Sequence, residues 1–349
     1  MSDFRIDKIT NRVGDAGTQI CGVTTFTGTS GMQLPVGPTE YRGGRGRGIV
    51  AGGKTPTYLK SMEYVEISTT GNAIDFGDLS EAKVNLSSAS SSTRGVVIGG
   101  QISPGNYATR GLEYVTISSQ GGASDFGDLR PTYFSMNSAG VTSNIRGFAC
   151  GALNVPGQLY SKEIDYITIA SLGDMTNWGE LSHTGRQLNA GCESATRGII
   201  GGGYGGNTPA DNSVVNTIQY ITFTSQGNSE LFGSLSATRR NINAVSDKTR
   251  GVFIAGYDGS NTLNTIDYIT ISTLGNAVDF GDTTTVTLNV APAQSATRGI
   301  VMGGQTPTIV NTIQYITIAT TGDATDFGDM LSVRGNAPTG LCDINGGLE

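Results

Sequence analysis

A fifteen-residue motif that recurs along the chain constrains the fold more than any other feature. Close copies read "YVEISTTGNAIDFGD", "YVTISSQGGASDFGD", "YITISTLGNAVDFGD" and "YITIATTGDATDFGD". Six copies align on a tyrosine, with separations of 47 to 54 residues, at Tyr64, Tyr114, Tyr166, Tyr220, Tyr268 and Tyr315. A period of this length is typical of repeat architectures in which each unit needs its neighbours to bury its apolar faces.

Each copy also fixes an aromatic residue twelve positions after the tyrosine, followed by glycine. The aromatics are Phe76, Phe126, Trp178, Phe232, Phe280 and Phe327. Phe and Trp share only bulk, so we interpret this position as a packing side chain between units. The "DFG" of protein kinases belongs with a glycine-rich loop, a strand lysine and a catalytic-loop aspartate. The chain has none of these partners, so we expect no kinase chemistry. The aspartates Asp75, Asp125, Asp279 and Asp326 are expected to bond turn amides.

A second block, of the type "RGVFIAG", precedes each tyrosine. Its arginines are Arg47, Arg94, Arg146, Arg197, Arg250 and Arg298. We expect these arginines to be structural and to pair with carboxylates within or between units, because a bidentate ion pair fixes geometry well. The alternative is a ring of six arginines that lines a central channel and binds an anion.

Each unit has the composition of four short strands. In "TIDYITIS", Ile266 and Tyr268 fall on one face of the strand, and Ile269 and Ile271 fall on the other. Such a strand must be covered on both sides. Four strands per unit and six units predict a six-bladed β-propeller over residues 41–349. The C-terminal segment "GDMLSVRGNAPTGLCDI" is expected to pair with the first blade and close the ring. Residues 1–40 do not follow the repeat and are expected to form an extended arm.

Charge and composition exclude several functions. The formal net charge of −7 argues against nucleic-acid binding, which needs a basic surface, and no apolar run is long enough to insert in a membrane. Four scattered cysteines without a CxxC pair do not predict a zinc site and suit a reducing compartment. The single histidine, His183, lies outside the repeat. We therefore predict no enzyme and no cofactor, although carboxylates brought together from different units stay open.

The order of elements resembles the kelch repeat family. An apolar strand ends in glycines, as in "IGG" at Ile98–Gly100, and is followed by a tyrosine strand and a later aromatic, as at Tyr166 and Trp178. The likeness covers about residues 41–349 and implies four-stranded blades around an axis. Most copies have Phe where the kelch repeat has Trp.

A narrower resemblance is to virion structural proteins of tailed phages, especially phages of cyanobacteria. It rests on "TRGVFIAG" with "NTIDYITISTLGNAVDFGD", and on the leader "ITNRVGDAGTQICGVTTF". This resemblance implies a tail, neck, fibre or capsid-associated particle component that is assembled in the host bacterial cytoplasm. It further implies docking of residues 1–40 on other virion proteins and a homo-oligomer in the assembled particle. An extended arm could dock by adding a strand to a neighbour.

Loops between the second and third strands of five units each carry a tyrosine. These residues are Tyr58, Tyr107, Tyr160, Tyr204 and Tyr257. Tyrosine can stack on a sugar or anchor a protein contact, which gives a second hypothesis of host-surface carbohydrate binding. The simpler interpretation is that the rings cover neighbouring loops.

Overall fold

The described part of the chain is built from antiparallel β-strands. The computed structural model describes residues 46–102, 107–130, 138–154, 159–206 and 212–344. They contain strands, turns and bends and no helix, so the prediction of an all-β protein is confirmed. All of them lie in the second of the two units into which the chain divides, Glu40–Glu349. The predicted arm of residues 1–40 lies outside the described residues.

Six four-stranded sheets occur among the described residues, and we number them in the order of their tyrosines. The first strands, in sheets 1 to 6, are Thr339–Cys342, Ser87–Ser90, Ala139–Thr142, Ala190–Glu193, Asn243–Ser246 and Ala291–Gln294. The second strands, which begin with the repeat arginine, are Arg47–Ala51, Arg94–Ile98, Arg146–Asn154, Arg197–Gly201, Arg250–Tyr257 and Arg298–Met302.

The third strands carry the repeat tyrosine, and the fourth strands carry the repeat aromatic. The third strands are Ser61–Glu66, Gly111–Thr116, Leu159–Thr168, Thr217–Thr222, Thr262–Thr270 and Thr312–Thr317. The fourth strands are Ile74–Asp78, Ser124–Asp128, Thr176–Glu180, Glu230–Ser234, Val278–Asp282 and Thr325–Asp329. Two-residue strands in the connections are Lys54–Thr55, Thr57–Tyr58, Lys83–Val84, Gln101–Ile102, Tyr107–Ala108, Arg186–Gln187, Tyr204–Gly205, Ser213–Val214, Gln305–Thr306 and Thr308–Ile309.

The repeat aromatic lies at a β-bulge in every sheet. In sheet 5, Ile266 pairs with Gly281 and Asp267 pairs with Asp279, so Phe280 has no partner residue opposite it. The same register shift recurs in the other five sheets. A bulge bends the strand and re-aims the side chain at the extra position. Phe280 is 3 % exposed as a result.

Apolar clusters join each sheet to the next one. The cluster around Phe280 contains Ile266 and Tyr268 of the same sheet together with Ile316 and Ile318 of sheet 6. Ile269 and Ile271 instead pack with the aromatic of sheet 4. The two faces predicted for this strand are therefore confirmed. Equivalent clusters form around the other five aromatics.

Backbone hydrogen bonds repeat at the same sheet-to-sheet contacts. The amide two residues after the turn glycine of each sheet donates to a carbonyl at the end of the preceding fourth strand, over 2.8 to 2.9 Å. The pairs are Ala123–Asp78, Met175–Asp128, Ser229–Glu180, Ala277–Ser234, Ala324–Asp282 and Ala73–Asp329. The last pair joins sheet 1 to sheet 6. Because amide and carbonyl are strong hydrogen-bonding groups, these bonds fix the spacing of neighbouring sheets.

The C-terminal strand belongs to the first sheet. Thr339–Cys342 pairs antiparallel with Arg47–Ala51, with Gly48 opposite Cys342 and Ala51 opposite Thr339. This is the pairing that the sequence predicts for the C-terminal segment. Phe327 of sheet 6 also packs in one cluster with Val65 and Ile67 of sheet 1.

The glycine of "DFG" is required by the neighbouring sheet. A Cβ atom on Gly281 would lie 2.6 Å from the carbonyl carbon and oxygen of Gly322, and the φ angle of Gly281 is +145°. A side chain would therefore meet both a rigid backbone and an unfavourable conformation. The "DFG" sequence therefore recurs because its glycine allows close packing against the neighbouring sheet.

We predict that Gly281→Ala lowers the free energy of unfolding by about 3 kcal/mol, since it adds both backbone strain and a steric conflict. Chemical denaturation measures the change. Gly275→Ala is the matched control in the same sheet, because a Cβ there meets nothing within 4 Å. Equal effects of the two substitutions would contradict the packing role.

Candidate functional site

The six repeat arginines bridge neighbouring sheets. Arg250 lies over the ring of Tyr268, with its Cζ atom 4.7 Å from the ring centroid, and its Nη1 donates to the carbonyl of Ile318 in sheet 6 over 3.2 Å. In all six copies the guanidinium lies 4.5 to 5.3 Å from the ring of its own repeat tyrosine. Each arginine donates to the next sheet, ending with Arg298 on Ile67 of sheet 1.

The partners of these arginines differ from the expected carboxylates. They are backbone carbonyls and aromatic faces, and Arg47 is the copy that also bonds a carboxylate, on Glu66 at 2.9 Å. A guanidinium can stack and donate at once, which explains why the repeat keeps Arg without a matching acid. The predicted bonds from aspartate side chains to turn amides do not occur among the described contacts, and all four side chains are exposed: Asp75, Asp125, Asp279 and Asp326. In the turn of sheet 5 it is Asn276 that accepts a backbone hydrogen bond, from the amide of Ser234 at the end of the preceding fourth strand.

The first strands of the six sheets surround a narrow cavity. It has a volume of about 60 Å³ and is lined by all six first strands, with small residues such as Gly140, Gly191 and Gly340. A neighbouring cavity of about 90 Å³ is lined by these strands and the segments before them. None of the six repeat arginines is among the described residues that line either cavity. The alternative of an arginine-lined channel therefore lacks support, and both cavities are much smaller than ordinary small-molecule sites.

Three of the five loop tyrosines meet in one row, which we call the tyrosine–arginine row. It consists of Tyr160, Tyr204, Arg240 and Tyr257. The rings of Tyr160 and Tyr204 make an edge-to-face contact at 5.7 Å, and Arg240 lies 4.8 Å from the ring of Tyr204 and 5.2 Å from that of Tyr257. All four side chains are half-buried. Arg240 is a member that the sequence analysis did not single out.

The row is held by loop backbone. Arg240 and Tyr257 exchange two backbone hydrogen bonds, of 2.8 and 2.9 Å. Burial, followed by the proximity of Tyr204, raises the pKa of Tyr160, whereas Arg240 acts in the opposite direction. The row therefore combines three aromatic rings with one guanidinium that lies over two of them, which suits stacking on a sugar or a contact with a protein.

The described contacts of this row do not include the other two loop tyrosines. Tyr58 is half-buried, with the Nζ of Lys54 5.9 Å from its ring centroid. Tyr107 lies in the short strand Tyr107–Ala108, and its side chain is outside the described part of the structure. The five loop tyrosines are equivalent in the sequence pattern. The described ring and cation contacts connect three of them, which are Tyr160, Tyr204 and Tyr257.

A buried polar layer between the sheets was missed by the sequence analysis. The residue before the repeat tyrosine is an acid in four copies, and each acid pairs with a cation from the preceding connection. The pairs are Lys83–Glu113, Arg130–Asp165, Arg239–Asp267 and Arg334–Glu63. The signal was present in the sequence. In three of these units, the acid before the tyrosine accompanies a basic residue five positions after the end of the segment that reads "DFGD" or, in one copy, "LFGS".

Burial and ion pairing act in opposite directions on the pKa values of Arg130 and Asp165 in this layer. Burial raises the pKa of Asp165, against the opposing effect of its partner Arg130. Burial also raises the pKa of the Cys150 thiol and brings that of Cys342 to about 12. These thiols are therefore protonated at neutral pH and poor nucleophiles.

Other chemical features of the described residues are few. No group of three or more His, Cys, Asp or Glu residues with metal-binding geometry occurs in the described ranges. Among these same residues there is also no helix long and apolar enough to cross a membrane. Comparison with known proteins finds neither a family model nor a curated protein that matches the chain.

We predict that Arg250→Ala destabilises the protein by about 2 kcal/mol, because it removes a stacking contact and an inter-sheet hydrogen bond. Binding of inorganic phosphate, measured by calorimetry, should be unchanged. Lys60→Ala is the control, since Lys60 is an exposed cation paired with the exposed Asp78 and should change stability little. Loss of phosphate binding with unchanged stability would instead support the anion-site interpretation of the repeat arginines.

Proposed function

We propose that residues 41–349 form a six-bladed β-propeller that the C-terminal strand closes. The proposal is supported by contacts that recur six times and include sheet 6 against sheet 1. They comprise the apolar clusters, the backbone bonds and the arginine bridges, of which Arg298 on Ile67 is the last. Pairing of the C-terminal strand gives sheet 1 its fourth strand, so that Arg47–Ala51 is not left as an unpaired edge.

The role proposed for this propeller is that of a non-enzymatic virion component of a tailed phage. The single observation that carries a scaffold role is that the described interior is filled by sheet-to-sheet packing, with cavities of about 60 and 90 Å³. The buried charges are mainly engaged in ion pairs within that packing. The placement in a virion rests on the repeat and leader resemblance, with residues 1–40 as the docking arm on neighbouring virion proteins.

Host-surface carbohydrate binding is the second candidate, because the tyrosine–arginine row offers adjacent aromatic rings on the loops. Tyr160 and Tyr204 meet at 5.7 Å, and Arg240 contacts both Tyr204 and Tyr257. Aromatic rings with a cation among them are a common platform for sugars and for protein contacts. In this alternative the propeller is the adhesion module of the particle.

Crosslinking mass spectrometry of purified virions tests the scaffold role. We expect the protein in the particles, with crosslinks from Lys8 in the arm to a different virion protein. Lys60, which is exposed on the propeller unit, provides the comparison site. Absence of the protein from purified virions, together with its recovery on soluble host proteins, would overturn the virion assignment.

A glycan array tests the second candidate. If the loops bind carbohydrate, the wild-type protein should bind a defined set of glycans, and Tyr204→Ala combined with Tyr257→Ala should reduce binding at least tenfold. Tyr58→Ala is the matched control, because Tyr58 lies outside the row. Binding that survives the double substitution would remove the row from the explanation.

A further inference from the structure

One unit breaks the pattern of the buried polar layer. The residue before the repeat tyrosine is buried in every copy, as Glu63, Glu113, Asp165, Gln219, Asp267 and Gln314. The two neutral copies differ in their partners. For Gln314, the position of the pairing cation is held by Thr287, so both residues are uncharged. For Gln219, that position is held by Arg186. Arg186 and Gln219 both have a relative exposure of 0 %.

Arg186 occupies the same place in its unit as Arg239 and Arg334, which are two of the three arginines that pair with acids in this layer. Its Nη1 donates to the carbonyls of Gly202 and Thr217 over 3.0 and 3.1 Å. Arg239 donates through Nη1 to the carbonyls of Ala255 and Thr265. Thr217 and Thr265 both lie three residues before a repeat tyrosine. The two guanidinium groups are therefore placed alike in their units.

Arg334 shows the same arrangement. Its Nη1 donates to the carbonyls of Gly52 and Ser61, and its Nη2 donates to Glu63 over 2.6 Å. The Nη2 of Arg239 likewise donates to Asp267. In the fourth unit, the equivalent nitrogen is the Nη2 of Arg186, and Gln219 stands in the position of the acid.

Neither nitrogen of this pair has an acceptor. The Nη2 of Arg186 and the Nε2 of Gln219 are both buried without a hydrogen-bond partner. The Oε1 of Gln219 is already used, because it accepts from the amide and hydroxyl of Ser182 and from the hydroxyl of Ser229. Unmade hydrogen bonds of buried donors are costly, so two of them in one place indicate an acceptor between them.

The charge of Arg186 is also uncompensated. Burial lowers its pKa to about 10, and no carboxylate among the described residues contributes an opposing effect. With that pKa the guanidinium stays protonated at neutral pH. A buried cation without a counter-charge is strongly unfavourable, and the other arginines of the layer avoid this cost through an acid.

We propose that this site binds one halide-sized monovalent anion, chloride in the cell, between the Nη2 of Arg186 and the Nε2 of Gln219. The anion takes the place of the carboxylate that Asp267 and Glu63 supply in their units. It neutralises the guanidinium and accepts from both orphaned donors. The proposal concerns the packing of this chain and does not depend on the virion or carbohydrate role.

The test compares unfolding midpoints after refolding in sodium chloride or sodium gluconate at one ionic strength, because gluconate is too large for a sealed site. The wild-type midpoint should rise as chloride replaces gluconate, since a ligand that binds only the folded state stabilises it. Gln219→Glu supplies a carboxylate to Arg186 and should raise the midpoint in gluconate and abolish the chloride dependence.

Gln314→Glu is the matched control, because the same change there buries a carboxylate opposite Thr287 with no cation. It should lower the midpoint and leave the chloride dependence intact. Crystals grown in bromide should show one anomalous peak between Arg186 and Gln219. A midpoint independent of chloride in the wild type, or a crystal structure in which the amide oxygen of Gln219 itself faces Arg186 with no bromide there, would overturn the proposal.

Discussion

The contact between one sheet and the next is the interaction on which the rest of the structure depends. A third strand such as Thr262–Thr270 is apolar on both faces, so a single unit cannot bury its own surface. The bulge directs Phe280 into the following sheet, and the glycine after it lets the neighbouring turn approach to backbone contact. Arg250 then bridges the same two sheets. The two blocks of the repeat thus together encode the apolar, backbone and cationic parts of a single interface.

Much of this could be predicted from the sequence, because the repeat fixes positions that do the same physical task in each copy. The two-faced tyrosine strand and the packing role of the aromatic follow from side-chain chemistry and period. The C-terminal segment was expected to pair with the first blade, and Thr339–Cys342 does pair with Arg47–Ala51. The partners of the arginines did not follow, because a carbonyl such as that of Ile318 has no sequence signature. The charge of the arginines therefore led to a predicted carboxylate partner, whereas backbone carbonyls accept their hydrogen bonds.

The buried polar layer shows where the repeat varies and why that matters. Lys83, Arg239 and Arg334 each meet an acid across the sheets, and Gln219 replaces the acid for Arg186. Aligning the copies on the tyrosine does not bring the two residues together, since the cation lies in the connection after one sheet and the acid lies in the third strand of the next sheet. For a similar reason, the tyrosine–arginine row could be predicted only in part from the sequence. Tyr204 and Tyr257 were in the sequence pattern, but Arg240 comes from a different loop.

The most direct test of closure compares two shortened chains in chemical unfolding. Residues 1–344 keep the strand Thr339–Cys342, and residues 1–335 lack it. We expect the longer chain to unfold like the full protein. The shorter chain should lose the cooperative transition, because Arg47–Ala51 then presents an open edge to solvent, and a peptide of residues 336–349 should restore the transition. Cooperative unfolding of residues 1–335 at the midpoint of the full chain would contradict a ring that the C-terminal strand closes.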